Sequence, residues 1–135
     1  MSRKFIPTAE WQDERHRQGL IGEQEAMAYL TACGWEVEAH RFKLGRHDVD
    51  LVVRRGHTVA FVEVKTRRST ICGAGLEAIG WRKQRIIART ASLWALRHGR
   101  AGDEYRFDAV EVRWVNGRWE VEHVPDAFRP SESLI

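Results

Sequence analysis

The sequence VDLVVRRGHTVAFVEVK, residues 49–65, is the strongest indication of the fold. Two runs rich in valine, residues 49–53 and 58–64, flank an Arg-Arg-Gly-His segment with the length and the glycine of a hairpin loop. Alternate side chains of a strand share one face, so Glu63 and Lys65 should point the same way as Phe61. The hairpin therefore presents an acid and an amine on one surface.

Register arithmetic brings a second acid to that surface. If Val53 pairs with Thr58, Asp50 lies opposite Phe61 and becomes a diagonal neighbour of Glu63, about 7–8 Å away at the backbone. A loop one residue longer or shorter would reverse this parity. The convergence of the two acids depends on the register.

A pair of partly buried carboxylates, here Asp50 and Glu63, is costly unless a cation or a shared proton neutralises it. Oxygen ligands with room for water and phosphate favour Mg²⁺ or Mn²⁺ over zinc. Lys65 would reach the same place and could orient a water or offset charge on a phosphorane-like transition state. The alternative is that both acids face solvent with Lys65 as an ion-pair partner, since this spacing also occurs by chance.

The rest of the chain predicts the element order α-β-β-β-α-β-β. Helices are expected over residues 19–32 and 76–98, and further strands over 35–42, 105–115 and 118–124, the last two joined by an Asn-Gly turn. This order indicates an α/β fold with helices packed on a mixed sheet. We expect a single domain over residues 16–124, between a loosely ordered N-terminal segment (1–15) and a C-terminal tail (125–135).

Composition limits the class of protein. At 135 residues one hydrophobic core is expected. The two cysteines lack metal-binding or disulfide-framework spacing, which favours a reducing compartment. No apolar run approaches the ~20 residues of a membrane span, and the N-terminus lacks a signal-peptide core. We expect a soluble, cytoplasmic protein that does not bind membranes.

The distribution of charge indicates a polyanion partner. The formal net charge is +3 and the pI about 9.2. Basic residues cluster in the second half of the chain, as suits phosphate binding, although a solvated helix face would look the same. The candidates for nucleic-acid binding are Arg67, Arg68, Arg82, Lys83 and Arg85.

Two helical residues fit the same site. Glu23 lies at the edge of the apolar stripe of the first helix and could reach the sheet. Lys83 falls within the apolar stripe of the long helix, where lysine is unusual, so it either extends outward to solvent or lines a charged site.

Ordered motifs over residues 19–112 resemble those of the bacterial YraN family, which is similar to Holliday-junction resolvases of the PD-(D/E)xK nuclease superfamily. The motifs are Gly22-Glu23-x-x-Ala26-x-x-Tyr29-Leu30, Asp48-Val49-Asp50-Leu51-Val52, Phe61-Val62-Glu63-Val64-Lys65-Thr66-Arg67, Gly73, Lys83-Gln84-Arg85 and Arg106-Phe107-Asp108. The resemblance implies a restriction-endonuclease-like αβββαβ core with an extra C-terminal hairpin strand. It also implies Asp50 and Glu63 as metal ligands, Lys65 as the catalytic lysine and Glu23 as the acid from the first helix.

This sequence departs from the family pattern in two places. The segment usually read as GEIDL is His47-Asp48-Val49-Asp50-Leu51, and the usual Arg-Asn pair before it is His40-Arg41. The superfamily's proline is replaced by Val49. These changes bear on the shape of the loop beside the site.

The leading hypothesis is a Mg²⁺- or Mn²⁺-dependent endonuclease that hydrolyses DNA phosphodiesters, with branched DNA as a candidate substrate. The alternatives are a non-catalytic nucleic-acid-binding module of the same fold and an interaction partner within a larger assembly. A homodimer is expected by analogy only, because cutting a junction needs two active sites. The run His47-Asp48-x-Asp50 could bind a metal, but His47 and Asp50 face opposite ways in a strand, so we favour polar residues that face solvent. We expect most of the six tryptophans to pack in the core.

Overall fold

The computed structural model describes residues 8–67 and 79–130, with side chains from Arg17 onward. Its elements are α1 (Thr8–Ala32), β1 (Glu36–Leu44), β2 (His47–Arg55), β3 (Thr58–Arg67), α2 (Trp81–His98), β4 (Glu104–Val115) and β5 (Arg118–Phe128). The strands form one sheet in sequence order, in which β3 and β4 are parallel and all other neighbours antiparallel. The predicted α/β fold is confirmed, and it is consistent with a restriction-endonuclease-like core.

The two helices cover opposite faces of the sheet. A parallel pair of strands requires a crossover, which α2 supplies between β3 and β4. On the α2 face, Phe61 packs edge-on against Trp94 at 5.8 Å between ring centroids. On the α1 face, Ala26 and Leu30 share a fully buried cluster with Val62. The sheet is therefore buried on both sides at its centre, where its strands are almost wholly apolar.

Several elements are longer than predicted. Helix α1 begins at Thr8 rather than residue 19, so the predicted N-terminal segment is helical from Thr8 onward, and residues 1–7 lie outside the described part. Strand β3 continues to Arg67, because β4 pairs with it along its whole length. Strand β5 extends to Phe128, which packs on Phe107, so the predicted tail begins as strand. Residues 131–135 lie outside the described part.

The start of α2 also differs from the prediction. The helix begins at Trp81, after a Gly80 N-cap, whereas residues 79–80 are not helical and residues 76–78 lie outside the described part. Among residues 8–67 and 79–130, neither helix is long and apolar enough to cross a membrane.

The central hairpin has a shorter turn than predicted. Arg55 pairs with Thr58 across a two-residue turn, so Val53 pairs with Ala60 and not with Thr58. The predicted register is therefore wrong by two residues. Because two residues are one full period of a strand, the predicted faces are unchanged. The Asn-Gly hairpin between β4 and β5 is confirmed, and Asn116 and Gly117 both have positive φ (49° and 80°), as a type I′ turn requires.

Candidate metal and nucleic-acid site

Asp50 and Glu63 lie where β2 and β3 part. The last backbone pair of this ladder is Leu51 with Val62, one residue before the two acids would face each other. There the side chains take over the hydrogen bonding. The backbone N–H of Val64 donates to Asp50 Oδ2 at 2.8 Å, and that of Asp50 donates to Glu63 Oε2 at 3.4 Å. The two carboxylates therefore occupy the gap between the strands as direct neighbours, closer than the diagonal arrangement predicted.

The electrostatics of this pair oppose full ionisation. Burial, with the negative charge of Glu63 added, raises the pKa of Asp50 to about 8. Burial also raises the pKa of Glu63, although the ammonium of Lys83 partly offsets the effect. Desolvation and mutual repulsion are the causes expected for two acids in a shared pocket. The pair needs a proton or a cation to neutralise it.

Lys83 is the amine that contacts the acids. Its Nζ lies 3.0 Å from Glu63 Oε1, while 61% of its side chain remains exposed. Burial lowers the pKa of Lys83, but the charge and hydrogen bond of Glu63 outweigh burial and raise it overall. Lys83 precedes the buried Ile87 by one helical turn, which aims it at the sheet. Lys83 was predicted either to extend into solvent or to line a charged site, and its ion pair with Glu63 favours the charged site.

Lys65 lies on β3, on the strand face that was predicted for it. It pairs in register with Glu111 of β4, two residues beyond Glu63 on the same strand face. It is not among the described residues that line the cleft around the two acids. Lys65, predicted from the ExK spacing, is therefore on the expected face, and Lys83 of α2 is a second lysine at the site, in an ion pair with Glu63.

Glu23 approaches the site from α1. It is buried on the same helical stripe as Ala26 and Leu30, as its position in the sequence predicted. Arg41 donates to it through Nε at 2.9 Å and Nη2 at 3.4 Å, and His40 Nε2 also contacts it. Its negative charge contributes to the raised pKa of Asp50. Glu23 is thus held within electrostatic range of Asp50 by His40 and Arg41, the residues that stand in place of the family's usual Arg-Asn pair.

A glycine allows α1 to come this close. A Cβ on Gly22 would meet Thr66 Oγ1 at 1.8 Å and Thr66 Cβ at 2.9 Å. Helix α1 therefore contacts the end of β3 directly, with Glu23 in the next position. The Gly22-Glu23 pair joins a packing requirement to a candidate functional residue.

The acids open into a cleft of about 450 Å³, the acid cleft. Its described lining residues come from β2, β3, α2 and the turn before β2: Arg46, His47, Asp48, Asp50, Glu63, Arg82, Lys83, Ile86 and Ile87. His47 was expected to face away from Asp50; it is exposed, and it lines the cleft together with Asp50. Asp48 was expected to face solvent; it is half-buried, and its charge raises the pKa of both Asp50 and Glu63.

The sequence signal for His47 and Asp48 was the glycine at position 45, which marks a turn just before them. His47 and Asp48 follow Gly45, whose φ is +62° in the turn between β1 and β2. Their end of β2 pairs with β1 but not with β3, since the β2–β3 ladder stops at Leu51. Strand alternation alone did not reveal that this end of β2 borders a gap.

The predicted nucleic-acid-binding residues separate into two groups. Arg82 and Lys83 line the acid cleft, and Arg85 lies beside them on α2. Arg67 lies at the end of β3, with Nε 3.6 Å from Oε2 of the buried Glu111. Arg68 lies outside the described residues. The predicted basic residues that line the cleft thus come from α2, and Arg46, from the turn before β2, adds a further arginine.

Two oxygen-donor side chains suit a hard divalent cation that completes its shell with water and phosphate oxygens. Asp50, which is half-buried, and Glu63, which is buried, provide them side by side at the wall of the cleft. Among residues 8–67 and 79–130, no group of three or more His, Cys, Asp or Glu side chains is arranged to hold a metal. The residues fit a cation held by two protein carboxylates and open to solvent, and do not fit a closed structural site.

The fold and this cleft define a mixed α/β protein with an acidic site at the fork of its central hairpin. The sequence model of an uncharacterised protein family, UPF0102, matches residues 22–112. The chain therefore belongs to the UPF0102 family, which confirms the YraN-like resemblance.

Its relatives are bacterial UPF0102 proteins. One from Anaeromyxobacter dehalogenans is 39% identical over 116 residues, covering 86% of this chain and 87% of the relative. One from Symbiobacterium thermophilum is 40% identical over 113 residues, covering 83% and 96%. A third, from Caldicellulosiruptor saccharolyticus, is 40% identical over 103 residues, covering 76% and 86%. The similarity thus extends over most of each chain.

Proposed function

We propose that this protein is a Mg²⁺- or Mn²⁺-dependent endonuclease acting on DNA phosphodiesters, with branched DNA as the preferred substrate. The observation that carries the proposal is the Asp50–Glu63 pair at the fork of β2 and β3, in which Glu63 is buried and Asp50 half-buried, with the Lys83 ammonium 3.0 Å from Glu63. Two acids and an amine around one open cleft are the groups that metal-assisted phosphodiester hydrolysis uses.

Asp50 and Glu63 would hold the cation. When bound, a divalent ion polarises a phosphoryl oxygen and lowers the pKa of a coordinated water. The Val64 N–H fixes the orientation of Asp50, and the backbone N–H of Asp50 does the same for Glu63. Both carboxylates are thus preorganised by the strand ends before any ligand arrives.

The cationic side chains have separate roles in this proposal. Lys83 neutralises Glu63 and, because it is largely exposed, can turn towards a substrate phosphate. Arg82 lines the same cleft and would position the backbone of the strand. Glu23 acts through its position beside Asp50, where its charge favours a cation. Lys65 is retained as the catalytic lysine implied by the family resemblance, so the two lysines must be tested separately.

A second function is favoured by one observation, the Glu63–Lys83 ion pair itself. A lysine can neutralise the acid without any metal, which is what a non-catalytic nucleic-acid-binding module of this fold would use. Such a module binds DNA with a steep dependence on salt, is insensitive to chelator and does not cut.

The test is a cleavage assay of the purified full chain on linear, nicked, flapped and four-way DNA of matched length, with Mg²⁺ or Mn²⁺. We expect strand scission that chelator abolishes, and a loss of about a hundredfold or more in Asp50→Asn. Glu23→Gln tests the acid from α1, and Glu25→Gln is its matched control, because Glu25 is on the same helix but is only partly buried.

Parallel Lys65→Met and Lys83→Met variants show which amine the reaction needs. The larger loss of cleavage identifies the catalytic lysine. Chelator-insensitive binding with no scission of any substrate in either metal would overturn the endonuclease proposal and support the binding module.

A further inference from the structure

A second groove adjoins the acid cleft on the outer side of α2. It has a volume of about 290 Å³ and is called here the Trp81 groove; its described lining residues are Trp81, Arg82, Arg85, Ile86 and Arg89. Arg82 and Ile86 line both cavities. The two therefore form one continuous surface along the first half of the helix, with acids at one end and an aromatic ring at the other.

Trp81 differs from the tryptophans of the core. It is 62% exposed, whereas Trp35 and Trp94 are each 2% exposed. Exposing a large indole forgoes the burial that normally stabilises it, so a functional role is favoured over packing. Cζ of Arg82 lies 5.4 Å from the Trp81 ring centroid, which restricts the orientation of the indole.

The charge of the groove selects an anionic ligand. Within the described part of the chain, neither Arg82 nor Arg89 has a carboxylate partner, and the first turn of α2 contains no acidic residue. Trp81, Arg85 and Arg89 follow one another at intervals of four residues, so they lie along one stripe of the helix. At 1.5 Å per residue the stripe is about 12 Å long, which matches about three nucleotides of stacked strand at ~3.4 Å each.

We infer that the Trp81 groove binds an unpaired stretch of DNA strand next to the acid cleft, with Trp81 stacking on a base and the arginines holding the flanking phosphates. Inside a duplex the base faces are covered by their neighbours, so an exposed indole can stack only on an unpaired base. The inference rests on the proposed function and refines it, because it assigns the substrate a single-stranded arm or unpaired junction nucleotides beside the cut.

The test is binding of the full chain, in chelator so that no cleavage occurs, to three labelled DNAs: a 12-nucleotide single strand, a blunt duplex and a duplex with one single-stranded arm. We expect Trp81→Ala to weaken binding of the single strand and the armed duplex about tenfold and that of the blunt duplex less than twofold. Trp81→Phe keeps an aromatic face and should retain most of the affinity. Trp114→Ala is the control, since Trp114 is also exposed but lies on β4 and packs on Trp119.

A charge variant tests the phosphate contacts. Arg89→Gln should reduce the slope of log affinity against log salt by about one, whereas Arg118→Gln, on β5, should leave it unchanged. Thermal melting checks that each variant folds. If Trp81→Ala does not fold, Trp81→Phe still tests the position.

The binding assay separates this inference from the proposed function, because it needs no turnover. Parent-like binding of all three DNAs by Trp81→Ala, or an equal loss on all three, would overturn stacking on an unpaired base. Tighter binding of an RNA 12-mer than of the DNA would overturn the assignment to DNA. If Trp81→Ala loses affinity for the single strand and the armed duplex but the parent never cuts DNA, the inference about the Trp81 groove stands and only the endonuclease proposal is refuted.

Discussion

Replacing Asp50 with asparagine should stabilise the metal-free protein, and the gain should grow with pH. The pKa of Asp50 is 3.8 in its ordinary state and about 8 in the fold, because the carboxyl is buried beside Glu63. Between those two values the folded protein holds a proton that the unfolded chain has lost. The free energy of unfolding therefore decreases as pH rises from about 4 to about 8. Asparagine keeps the shape and the oxygen that accepts from Val64 N–H, but it never ionises.

The magnitude follows from the size of the shift. At pH 7, which is 3.2 units above the ordinary pKa of 3.8, 1.36 kcal/mol per unit gives about 4 kcal/mol. This is the upper limit of the destabilisation that Asp50→Asn removes. Local relaxation and water entry reduce it, so we expect a gain of about 1–4 kcal/mol at pH 7 and almost none near pH 4. A saturating divalent cation should stabilise only the parent and narrow or reverse the difference.

The assay is urea unfolding of both proteins in EDTA from pH 4 to pH 8, repeated with Mn²⁺. Glu36→Gln, at an exposed site on β1, serves as the control for loss of one negative charge. A difference that does not vary with pH, or an Asp50→Asn variant less stable than the parent at pH 8 in chelator, would refute the reasoning.

Two further predictions concern packing and a buried ion pair. Gly22→Ala should lower the free energy of unfolding by about 1–3 kcal/mol, because its Cβ collides with Thr66. Thermal melting of the double variant Gly22→Ala/Thr66→Ala should show that part of this loss is restored. Asp103→Ala should cost about 1.5–3 kcal/mol by urea titration, since it removes the partner at 2.6 Å from the buried Arg54, which keeps Glu38 at 2.7 Å. Hydrogen bonding from Arg54 lowers the pKa of Asp103 to about 2. The stability that the ion pair gives the parent is therefore complete above pH 3.8 and is lost as pH falls towards 2. A loss of stability in Asp103→Ala that is as large at pH 2 as at pH 7 would contradict this prediction.

The sequence determined the order of the elements and the identity of the acids. Valine-rich runs around a glycine turn define β2 and β3, and the Asn-Gly pair defines the β4–β5 hairpin. A two-residue error in register did not affect the shared face of Asp50 and Glu63, because strand faces repeat every two residues. The apolar stripe of α1 likewise indicated Glu23. These are local patterns, and local geometry is what periodicity reports.

Tertiary structure alone decided which groups meet. The separation of β2 from β3 after Leu51 makes the acids direct neighbours and brings His47 and Asp48 into the cleft. The packing of α2 across the sheet brings Lys83, twenty residues further along the chain, to Glu63, while Lys65 two residues away lies beside Glu111. Strand spacing says nothing about a helix that crosses above the strand. The exposure of Trp81 depends on the same crossover, because composition cannot tell which tryptophans the core will enclose.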